Sequence, residues 1–343
     1  MSLISKIGII GAGNVAKAHI TAIQNIKDIH LVGVYDVDYQ RAQRLGDAVK
    51  TYIDVRELID DSDAVIIATP NYTHANYAML AIDKNKHVLC EKPMAISATE
   101  AECMVKKAVN SKLCCHIGFN YRFLGICKII KQLIDNGELG LVLSIDMALT
   151  RSSALTRKNY TWRDGPESNA TSGALGDLGS HLIDLLYYLF LAEINLANCS
   201  VNMERHIQAK EGIPVFVDDY AVVEGMLTNG IHFNIVTSKV TLPHDAGLTI
   251  KITGERKEFF YNSKMGDLYA IKSTALLDSR RINSISTLEN SPSEVYGWSQ
   301  SFLDQLENWM KCINHGEATD NATFSEGLKE QKVLMYFLSK NTL

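Results

Sequence analysis

The segment from Lys6 to Ala16, together with Asp36 further along the chain, constrains the possible folds most strongly. Apolar residues up to Ile10 are typical of a buried strand, which ends at two glycines before an amphipathic helix begins. A second apolar run, Leu31 to Tyr35, leads directly to Asp36. In this strand–turn–helix–strand order, the glycine pattern predicts a dinucleotide-binding site on a doubly wound sheet.

Each small residue of the turn has a physical role in such a site. Gly11 makes the tight turn, Gly13 lets the backbone approach a pyrophosphate, and Ala16 lets the helix pack closely on the strand. Asn14 and Val15 supply backbone amides in the first helical turn, where unpaired N–H groups and the helix dipole attract phosphate. The alternative is a glycine-rich turn in an ordinary βαβ unit, which the position of Asp36 disfavours.

Asp36 predicts which dinucleotide is bound. A carboxylate at the end of the second strand can accept hydrogen bonds from both ribose hydroxyls of an adenosine, and it repels a 2′-phosphate. Val37 and Asp38 follow it, so no arginine stands next to the acid. We therefore expect NAD rather than NADP as the cofactor.

Length and composition favour a soluble protein of about two domains, because the chain has 343 residues, 46% of them hydrophobic and 21% charged. A net charge of −5 without a basic block argues against nucleic acid or an anionic membrane as a partner. Seven cysteines without regular spacing argue against a disulfide framework. The first predicted strand lies close to Met1, and the most apolar helix, near Leu182, is too short to span a bilayer. We therefore expect a cytoplasmic protein.

The first half of the chain alternates strands and helices about six times and is interpreted as an α/β Rossmann domain over residues 1–122. The carboxyl ends of parallel strands hold the ligands of such sheets. Three segments follow predicted strands there: Thr69-Pro70-Asn71, Glu91-Lys92-Pro93 and Asn120-Tyr121-Arg122. Lys92 stands between an acid and a proline, which favours a functional role over that of a solvated loop lysine. His74 is equally consistent with a place near the cofactor and with the surface.

Residues 123–343 are predicted to form a second, α+β domain with a large, open, mainly antiparallel sheet. Apolar and polar residues alternate from Leu141 to Leu149 and from Leu248 to Thr253, which is typical of strands with one buried face. Asn229-Gly230 between two further strands predicts a hairpin. Two helices, about 298–314 and 325–339, close the chain. A sheet face without its own helices favours a homodimer or homotetramer formed through this sheet.

The most informative segment of the second half runs from Ser172 to Leu186. As a helix it places Asp177, His181 and Asp184 on one face, and an acid one turn before a histidine can orient the imidazole and raise its basicity. Its glycines cost about 1 kcal/mol each against alanine, so backbone or a ligand must occupy the space beside them. Zinc would also suit His181 with an acid, but no cluster of further ligands accompanies it, so we predict no metal site.

Three motifs in this order and spacing resemble one enzyme family. They are Gly11-Ala12-Gly13-Asn14-Val15-Ala16, Glu91-Lys92-Pro93, and the run Gly-Asp-Leu-Gly-Ser-His-Leu-Ile-Asp from Gly176 to Asp184. The chain resembles the glucose–fructose oxidoreductase/inositol dehydrogenase (Gfo/Idh/MocA) family over both predicted domains. The glycine motif alone is not specific, whereas the glutamate–lysine–proline triplet combined with the Asp-x-x-x-His helix is.

The resemblance implies an NAD(P)-dependent dehydrogenase or reductase with a nicotinamide cofactor on the first domain and a sugar or cyclic polyol as substrate. In such enzymes the residues that match Lys92 and His181 flank the reacting hydroxyl, and the residue that matches Asp177 assists them. The residue that matches Glu91 lies by the nicotinamide. The lysine–proline peptide bond is often cis in these enzymes. Positions implied to reach the nicotinamide or the substrate, or to line the sugar pocket, are Asn120, Arg122, Trp162 and Arg163. The strand-end residues assigned to the cofactor site are Thr69, Pro70, Asn71, His74, Glu91, Lys92 and Asn120.

These residue types suit the oxidation of a secondary alcohol. His181 would remove the hydroxyl proton, oriented by Asp177, and Lys92 would stabilise the developing alkoxide. The cofactor takes up the hydride. Two other functions use the same scaffold: a glycosidase that oxidises a sugar carbon transiently with tightly bound NAD, and a non-catalytic dinucleotide-binding regulator. Release of a sugar without net NADH formation would indicate the first, and NAD binding without turnover the second.

Overall fold

The computed structural model describes residues 4–46, 48–273, 277–282, 288 and 295–340. The α-helices in this part of the chain are α1 (Asn14–Gln24), α2 (Tyr39–Gln43), α3 (Val55–Asp61), α4 (His74–Asp83), α5 (Ala98–Val109), α6 (Gly125–Asp135), α7 (Ser153–Thr156), α8 (Ser180–Phe190), α9 (Trp298–His315) and α10 (Phe324–Ser339). The strands are β1 (Lys6–Ile10), β2 (His30–Tyr35), β3 (Thr51–Tyr52), β4 (Ala64–Ile67), β5 (His87–Cys90), β6 (Cys115–Ile117), β7 (Val142–Thr150), β8 (Ser200–Glu204), β9 (Ala209–Lys210), β10 (Ile213–Pro214), β11 (Tyr220–Met226), β12 (His232–Ser238), β13 (Gly247–Gly254), β14 (Glu258–Asn262), β15 (Leu268–Lys272), β16 (Leu277–Arg281) and β17 (Ala322–Thr323). The chain divides into two compact units, residues 1–120 with 299–331 and residues 121–298 with 332–343.

The first unit is built on a seven-stranded sheet in the order β17-β6-β5-β4-β1-β2-β3. Strands β1 to β6 are parallel to their neighbours, and β17 pairs antiparallel with β6. Every residue of β4 is buried, as expected of a parallel strand covered on both faces. The strand order reverses between β1 and β4, which is where doubly wound sheets bind ligands. The predicted Rossmann architecture is confirmed.

Pairing and capping explain where elements of this sheet begin and end. Strand β4 ends at Ile67, because its partner β1 ends at Ile10, opposite Ile67. Asp54 accepts a hydrogen bond from the backbone of Arg56 at the start of α3. A side-chain cap of this kind can be predicted from the local sequence, whereas the end of a strand depends on the strand that pairs with it.

The first unit also contains residues from late in the chain, which the predicted division at residue 122 assigned to the second domain. Trp309 on α9 is fully buried, and its Nε1 donates to the carbonyl of Cys114. Gln305 Nε2, on the same helix, donates to the carbonyl of Ile117. Strand β17 then extends the sheet beside β6. Partners as far as 195 positions apart leave no local pattern, so the contiguous division differs from the compact units.

The second unit contains an eight-stranded sheet in the order β16-β15-β14-β13-β7-β12-β11-β8. Neighbouring strands are antiparallel except β7 and β12, which are parallel. Along β7, Ile145, Met147 and Leu149 are buried and alternate with partly exposed residues, as predicted. The same prediction is wrong for the start of the strand, where Leu141 and Leu143 are exposed and Val142 is buried. The pairing of β7 with β13 shifts register at Val142, so the alternation changes phase there. The Asn229-Gly230 turn joins β11 to β12, with Gly230 at φ +88°. The open, mainly antiparallel sheet of an α+β domain is confirmed.

A π-helix, Leu175–Gly179, leads directly into α8. The helix predicted across residues 172–186 therefore begins with a wider turn than an α-helix, a feature common at functional sites. A side chain at Gly176 would overlap the carbonyl of Thr171, and one at Gly173 would overlap the carboxylate of Asp218. The chain itself thus occupies the space beside these two glycines.

Two observations concern membrane spans and cysteines. Across the residues that the structure describes, no helix combines the length and the apolar character needed to cross a membrane.

All seven cysteines are free thiols, and burial raises the pKa of Cys115 to about 12. The prediction that the fold does without a disulfide framework is in agreement with this finding.

Candidate active site

The glycine turn between β1 and α1 has the shape predicted for a dinucleotide site. Gly11 has φ +104°, and a side chain there would overlap the carbonyl of Ala68, so this position requires glycine. At Gly13, directly before α1, no atom of the described residues other than its chain neighbours lies within 4 Å of the position that a Cβ would take. Ala16 is fully buried, as its predicted packing role requires. The open space at Gly13 fits the approach of a pyrophosphate to the first amides of α1.

Asp36 lies against this turn just beyond β2. Its Oδ2 accepts a hydrogen bond from Ala12 N (2.8 Å), and its Oδ1 accepts one from Asp38 N (2.8 Å). Two backbone amides thus fix a carboxylate whose remaining lone pairs can accept ribose hydroxyls. Arg41 Nη1 lies 3.8 Å from Asp36 Oδ1. Sequence reasoning missed this arginine because it stands beyond the positions next to the acid, on α2.

His74 ties the turn after β4 to the segment after β5. It is buried, and its Nε2 lies 3.0 Å from Thr69 O while its Nδ1 lies 2.9 Å from Pro93 O. Burial lowers the pKa of His74, and a neutral imidazole can donate to only one of these two carbonyls. Thr73 Oγ1 also donates to Pro70 O (2.7 Å). His74 therefore lies between two of the predicted cofactor segments, where it holds their backbones; its contact with the cofactor stays a prediction.

The Glu91-Lys92-Pro93 triplet begins directly after β5. Glu91 is buried, and its Oε1 lies 2.8 Å from Nε2 of His19 on α1. A side chain at Gly118 would come within 3.0 Å of the Glu91 carboxylate, so glycine leaves room for the acid. Lys92 is half-buried, and the Lys92–Pro93 peptide bond is cis, as the family resemblance implies. The placement of Glu91 by a nicotinamide stays a prediction.

Two buried asparagines complete the strand ends of the first unit. Asn71 begins the short helix Asn71–Thr73 that follows β4. Asn120 lies beyond β6, and its Nδ2 donates to Ser301 Oγ (2.8 Å). The residues predicted to bind the cofactor thus follow the carboxyl ends of strands in one sheet, where ligands of doubly wound sheets bind.

His181 lies in the first turn of α8, in the second unit. Its ring stacks on that of Tyr121, with 4.1 Å between the ring centroids and 17° between the planes. Arg151 Nη2 donates to the hydroxyl of Tyr121 (2.9 Å). A stacked and buried imidazole keeps its ring plane, and therefore the direction of its two nitrogens, fixed.

Arg122 and Asp184 form a buried bidentate ion pair in the second unit. Arg122 Nε and Nη2 donate to the two carboxylate oxygens at 2.8 and 2.6 Å. The exposed fractions of the two residues are 3% and 2%. The guanidinium also lies over the ring of Tyr188, 5.2 Å from its centroid. Arg122 therefore has a structural partner for its charge, and its predicted contact with a ligand stays a prediction.

Asp177, on the π-helix, forms an ion pair that the sequence did not predict. Lys239 Nζ lies 2.8 Å from Asp177 Oδ2 and donates to the carbonyl of Ser172 (2.7 Å). Burial lowers the pKa of Lys239, and the Asp177 carboxylate opposes that shift. The backbone of Lys239 is fixed on both sides, because its N donates to Asp219 O and its O accepts from Ala154 N. The predicted pairing of Asp177 with His181 stays a prediction.

Asp218 is a buried acid that holds the start of the π-helix. Its Oδ2 accepts from Leu175 N (2.8 Å) and its carbonyl from Ala174 N (3.0 Å). Burial raises the pKa of Asp218 to about 6. Oδ1 has no hydrogen-bond partner in the part of the chain that the structure describes. Asp218 therefore fixes the backbone on which Asp177 lies.

Trp162 and Arg163 lie in the loop between α7 and the short helix Pro166–Ser168. The Arg163 guanidinium carbon is 4.3 Å from the centroid of the Trp162 ring. Arg163 N donates to Thr161 Oγ1 (3.3 Å), and its carbonyl accepts from Ser172 Oγ (2.9 Å). Burial lowers the pKa of Arg163, and the carboxylate of Asp177 opposes this. The loop is therefore anchored to the segment that leads to Asp177.

Sequence reasoning missed Lys239 and Asp218, and it predicted no metal site. Lys239 directly follows strand β12, as Lys92 follows β5, and this position at a strand end was the available signal. Asp218 carried no signal, because its partners lie more than 40 residues earlier. Over the described residues, no group of three or more histidine, cysteine or acidic side chains is arranged to hold a metal ion.

Sequence profiles identify both halves of the chain. The profile described as "Oxidoreductase family, NAD-binding Rossmann fold" (GFO_IDH_MocA) matches residues 5–119. The companion profile, described as "Oxidoreductase family, C-terminal alpha/beta domain", matches residues 131–340. The glycine turn and the Glu91-Lys92-Pro93 triplet lie in the first match, and Asp177 and His181 lie in the second.

Individual relatives extend over nearly the whole chain. Glucose-6-phosphate 3-dehydrogenase of Bacillus subtilis (strain 168) is 42% identical over 343 residues, which cover 98% of this chain and 96% of the relative. Levoglucosan dehydrogenase of Pseudarthrobacter phenanthrenivorans is 28% identical and covers 94% of this chain and 92% of its own. A solved structure of levoglucosan dehydrogenase, in complex with NADH and levoglucosan, has a TM-score of 0.84 at 22% identity and covers 98% of this chain and 96% of that one.

The similarity is therefore not confined to the common glycine motif. The two profiles together span most of the sequence, and the relative at 42% identity covers almost all of it. The solved structure at 22% identity supports the fold alone. The chain is a member of the Gfo/Idh/MocA family of NAD-binding oxidoreductases.

Proposed function

We propose that this protein is an NAD-dependent dehydrogenase that oxidises a secondary hydroxyl of a phosphorylated hexose. The observation that carries the proposal is the 42% identity with a glucose-6-phosphate 3-dehydrogenase over 98% of the chain. More distant relatives are a levoglucosan dehydrogenase and an inositol 2-dehydrogenase of Salmonella, so sugars and cyclic polyols are the substrate class that the relatives' names share.

The side chains of the candidate site can supply the proton chemistry of this reaction. Bound NAD supplies a nicotinamide ring that accepts the hydride. His181, held by its stack on Tyr121, takes the proton of the substrate hydroxyl. The Lys92 ammonium donates a hydrogen bond to the same oxygen as it gains alkoxide character. Asp177, held by Lys239, accepts a hydrogen bond from a neighbouring sugar hydroxyl. In the reverse reaction, protonated His181 returns the proton.

The cofactor is proposed to lie along the carboxyl edge of the first sheet. The open turn at Gly13 and the amides of α1 receive the pyrophosphate, and Asp36 binds the adenosine ribose. The residues proposed to line the nicotinamide half are Thr69, Pro70, Asn71, Glu91 and Asn120. Arg41 lies close enough to Asp36 to meet a 2′-phosphate if the acid is removed, so the acid decides the preference for NAD.

We expect Asp36→Ala to reduce the preference for NAD over NADP at least tenfold, because the change removes a ribose acceptor and a charge that repels the 2′-phosphate. Steady-state kcat/KM for both dinucleotides measures this preference. The double variant Asp36→Ala/Arg41→Ala is the matched comparison. Without Arg41, the gain in kcat/KM for NADP that Asp36→Ala produces should be lost. An unchanged preference in Asp36→Ala would show that the ribose is recognised elsewhere.

A spectrophotometric screen of NAD reduction tests the proposed activity. The panel contains hexose phosphates, the parent aldoses, inositols and nucleotide sugars, and we expect the fastest NADH formation with a hexose phosphate. Release of a free sugar from glycosides without net NADH would favour the glycosidase. Tight NAD binding with no turnover on the whole panel would favour the regulator. Either result would replace the dehydrogenase proposal.

The exposed face of the second sheet is proposed to join two or four copies of the chain. Phe260 on β14 is 39% exposed, and Val222 and Val236, paired across β11 and β12, are partly exposed on a face that alternates with the buried one. Light scattering should give a mass of two or four chains, and Phe260→Lys should lower it because it places a charge in an apolar contact. A monomeric wild-type protein would contradict the proposal.

A cytoplasmic location is proposed as well. Dinucleotide-dependent chemistry requires a pool of NAD, and the free thiols are typical of a reducing compartment. Fractionation of cells that express the native protein tests this, and recovery outside the cytoplasmic fraction would refute it.

A further inference from the structure

In the part of the chain that the structure describes, Arg163 is a half-buried cation without an anionic partner. Within the residues that the structure describes, its guanidinium makes no hydrogen bond and no ion pair; its close contact is the stack on the Trp162 ring, 4.3 Å away. Asp177, the acid whose field acts most strongly on it, is bonded to Lys239. A guanidinium stacked by its face on an aromatic ring still presents the N–H groups along its edge. Those N–H groups have no acceptor among the described residues, so they are available to bind an anionic ligand.

The protein holds this guanidinium in place before any ligand arrives. Both backbone groups of Arg163 are bonded, its N to Thr161 Oγ1 and its carbonyl to Ser172 Oγ. The next residue, Asp164, is anchored by Arg157 Nη2 (2.6 Å), by Lys210 Nζ (2.9 Å) and by the backbone and hydroxyl of Thr161. A site with a fixed backbone loses little conformational entropy when an anion binds.

The other cations near Arg163 already have anionic partners. Three of the four cations of this cluster are paired, since Arg157 and Lys210 share Asp164 and Lys239 binds Asp177. Among the cations of this cluster, Arg163 is therefore the one that can accept an additional anion.

We infer that Arg163 binds the phosphate group of the substrate and so makes this protein selective for a phosphate monoester of a sugar over the neutral sugar. This inference rests on the proposed function, in which Asp177 and His181 act on the sugar. The planar fork of a guanidinium matches two phosphate oxygens at once.

The test compares one pair of substrates in four proteins. Glucose 6-phosphate and glucose are assayed with NAD in the wild type, Arg163→Gln, Arg163→Lys and Lys158→Gln. In the wild type kcat/KM should be far higher for the phosphate, and Arg163→Gln should lower the ratio of the two values about a hundredfold, because two charge-assisted hydrogen bonds are lost. Arg163→Lys should lower it about tenfold, since the charge remains without the planar fork.

Lys158→Gln is the matched control, because it removes one positive charge from an exposed residue of the same loop. Its ratio should stay within about threefold of the wild type, since exposed charges are screened. An equal loss in Lys158→Gln and Arg163→Gln would overturn the inference by showing a general field effect. So would an unchanged ratio in Arg163→Gln, or a wild-type preference for glucose over glucose 6-phosphate. In those cases the oxidation of a sugar hydroxyl still stands, whereas no NADH with any sugar would refute the proposed function itself.

A binding measurement keeps the inference testable without turnover. The complex of each protein with NADH is titrated calorimetrically with inorganic phosphate. We expect binding to the wild type that weakens at least tenfold in Arg163→Gln and remains in Lys158→Gln. Equal phosphate affinity in the wild type and Arg163→Gln would overturn the assignment of Arg163.

Discussion

Lys92→Ala should lower kcat about a thousandfold with the physiological sugar while leaving the affinity for NAD within about threefold of the wild type. The ammonium stabilises an oxygen that carries charge only as the proton and hydride leave, so its loss raises the barrier more than it weakens the ground state. Lys92 is half-buried and directly follows β5, and this fixes where its backbone lies. Stopped assays at saturating NAD and substrate measure kcat, and fluorescence titration measures the dissociation constant of NAD.

The control for this experiment is another lysine beside the same sheet. Lys112 is exposed and precedes β6, at the opposite end of the strands from the proposed site. Lys112→Ala removes the same charge and should leave kcat unchanged within about twofold, as expected for an exposed surface change. Turnover that survives in Lys92→Ala would refute the catalytic assignment, and a parallel loss of NAD binding would place the lysine in the cofactor site instead.

Asp184→Asn should lower the free energy of unfolding by about 3 kcal/mol, because it leaves the charge of Arg122 buried without its carboxylate. The pair is bidentate, at 2.8 and 2.6 Å, and both residues are almost completely enclosed. Urea unfolding followed by circular dichroism measures the change. The same variant should increase hydrogen exchange along α8, which carries both Asp184 and His181.

The double variant Arg122→Met/Asp184→Leu separates structure from ligand binding. It removes both charges, and apolar replacement of a whole buried pair is often neutral for stability, so most of the lost stability should return. If stability returns but activity does not, Arg122 also serves the site, as the family resemblance implies. If Asp184→Asn changes the free energy of unfolding by less than about 0.5 kcal/mol, the Arg122–Asp184 ion pair does not stabilise the fold.

The cofactor half of the site was predictable from the sequence because its signals are local. Gly11 requires a positive φ, Gly13 requires an open approach, and Asp36 follows its strand directly, all within about thirty residues of one another. The Glu91-Lys92-Pro93 triplet was also recognisable, since it follows a short apolar strand. What the sequence did not predict here is that Glu91 meets His19 and that Arg41 approaches Asp36, because both contacts join separate elements.

In the second unit the sequence predicted candidate site residues but not the partners that the structure records for them. The spacing of Asp177, His181 and Asp184 indicated one helical face. In the structure Asp177 forms an ion pair with Lys239, and His181 stacks on Tyr121. Asp184 forms an ion pair with Arg122. A π-helix replaces the first α-helical turn. The backbone there is held by Asp218 from a distant segment, which no local pattern reports.

The amino-acid sequence by itself determined the α/β and α+β classes, the dinucleotide turn and the catalytic candidates, because periodicity, turn chemistry and short motifs depend on neighbours along the chain. Only the tertiary structure decided that α9 and β17 complete the first unit, that Lys239 holds Asp177, and that Arg163 remains the unpaired cation of its cluster within the described residues. The physical reason is that buried charges are stabilised by whichever group reaches them in space. Such partners can lie anywhere in the sequence, so the fold, and not the local pattern, assigns them.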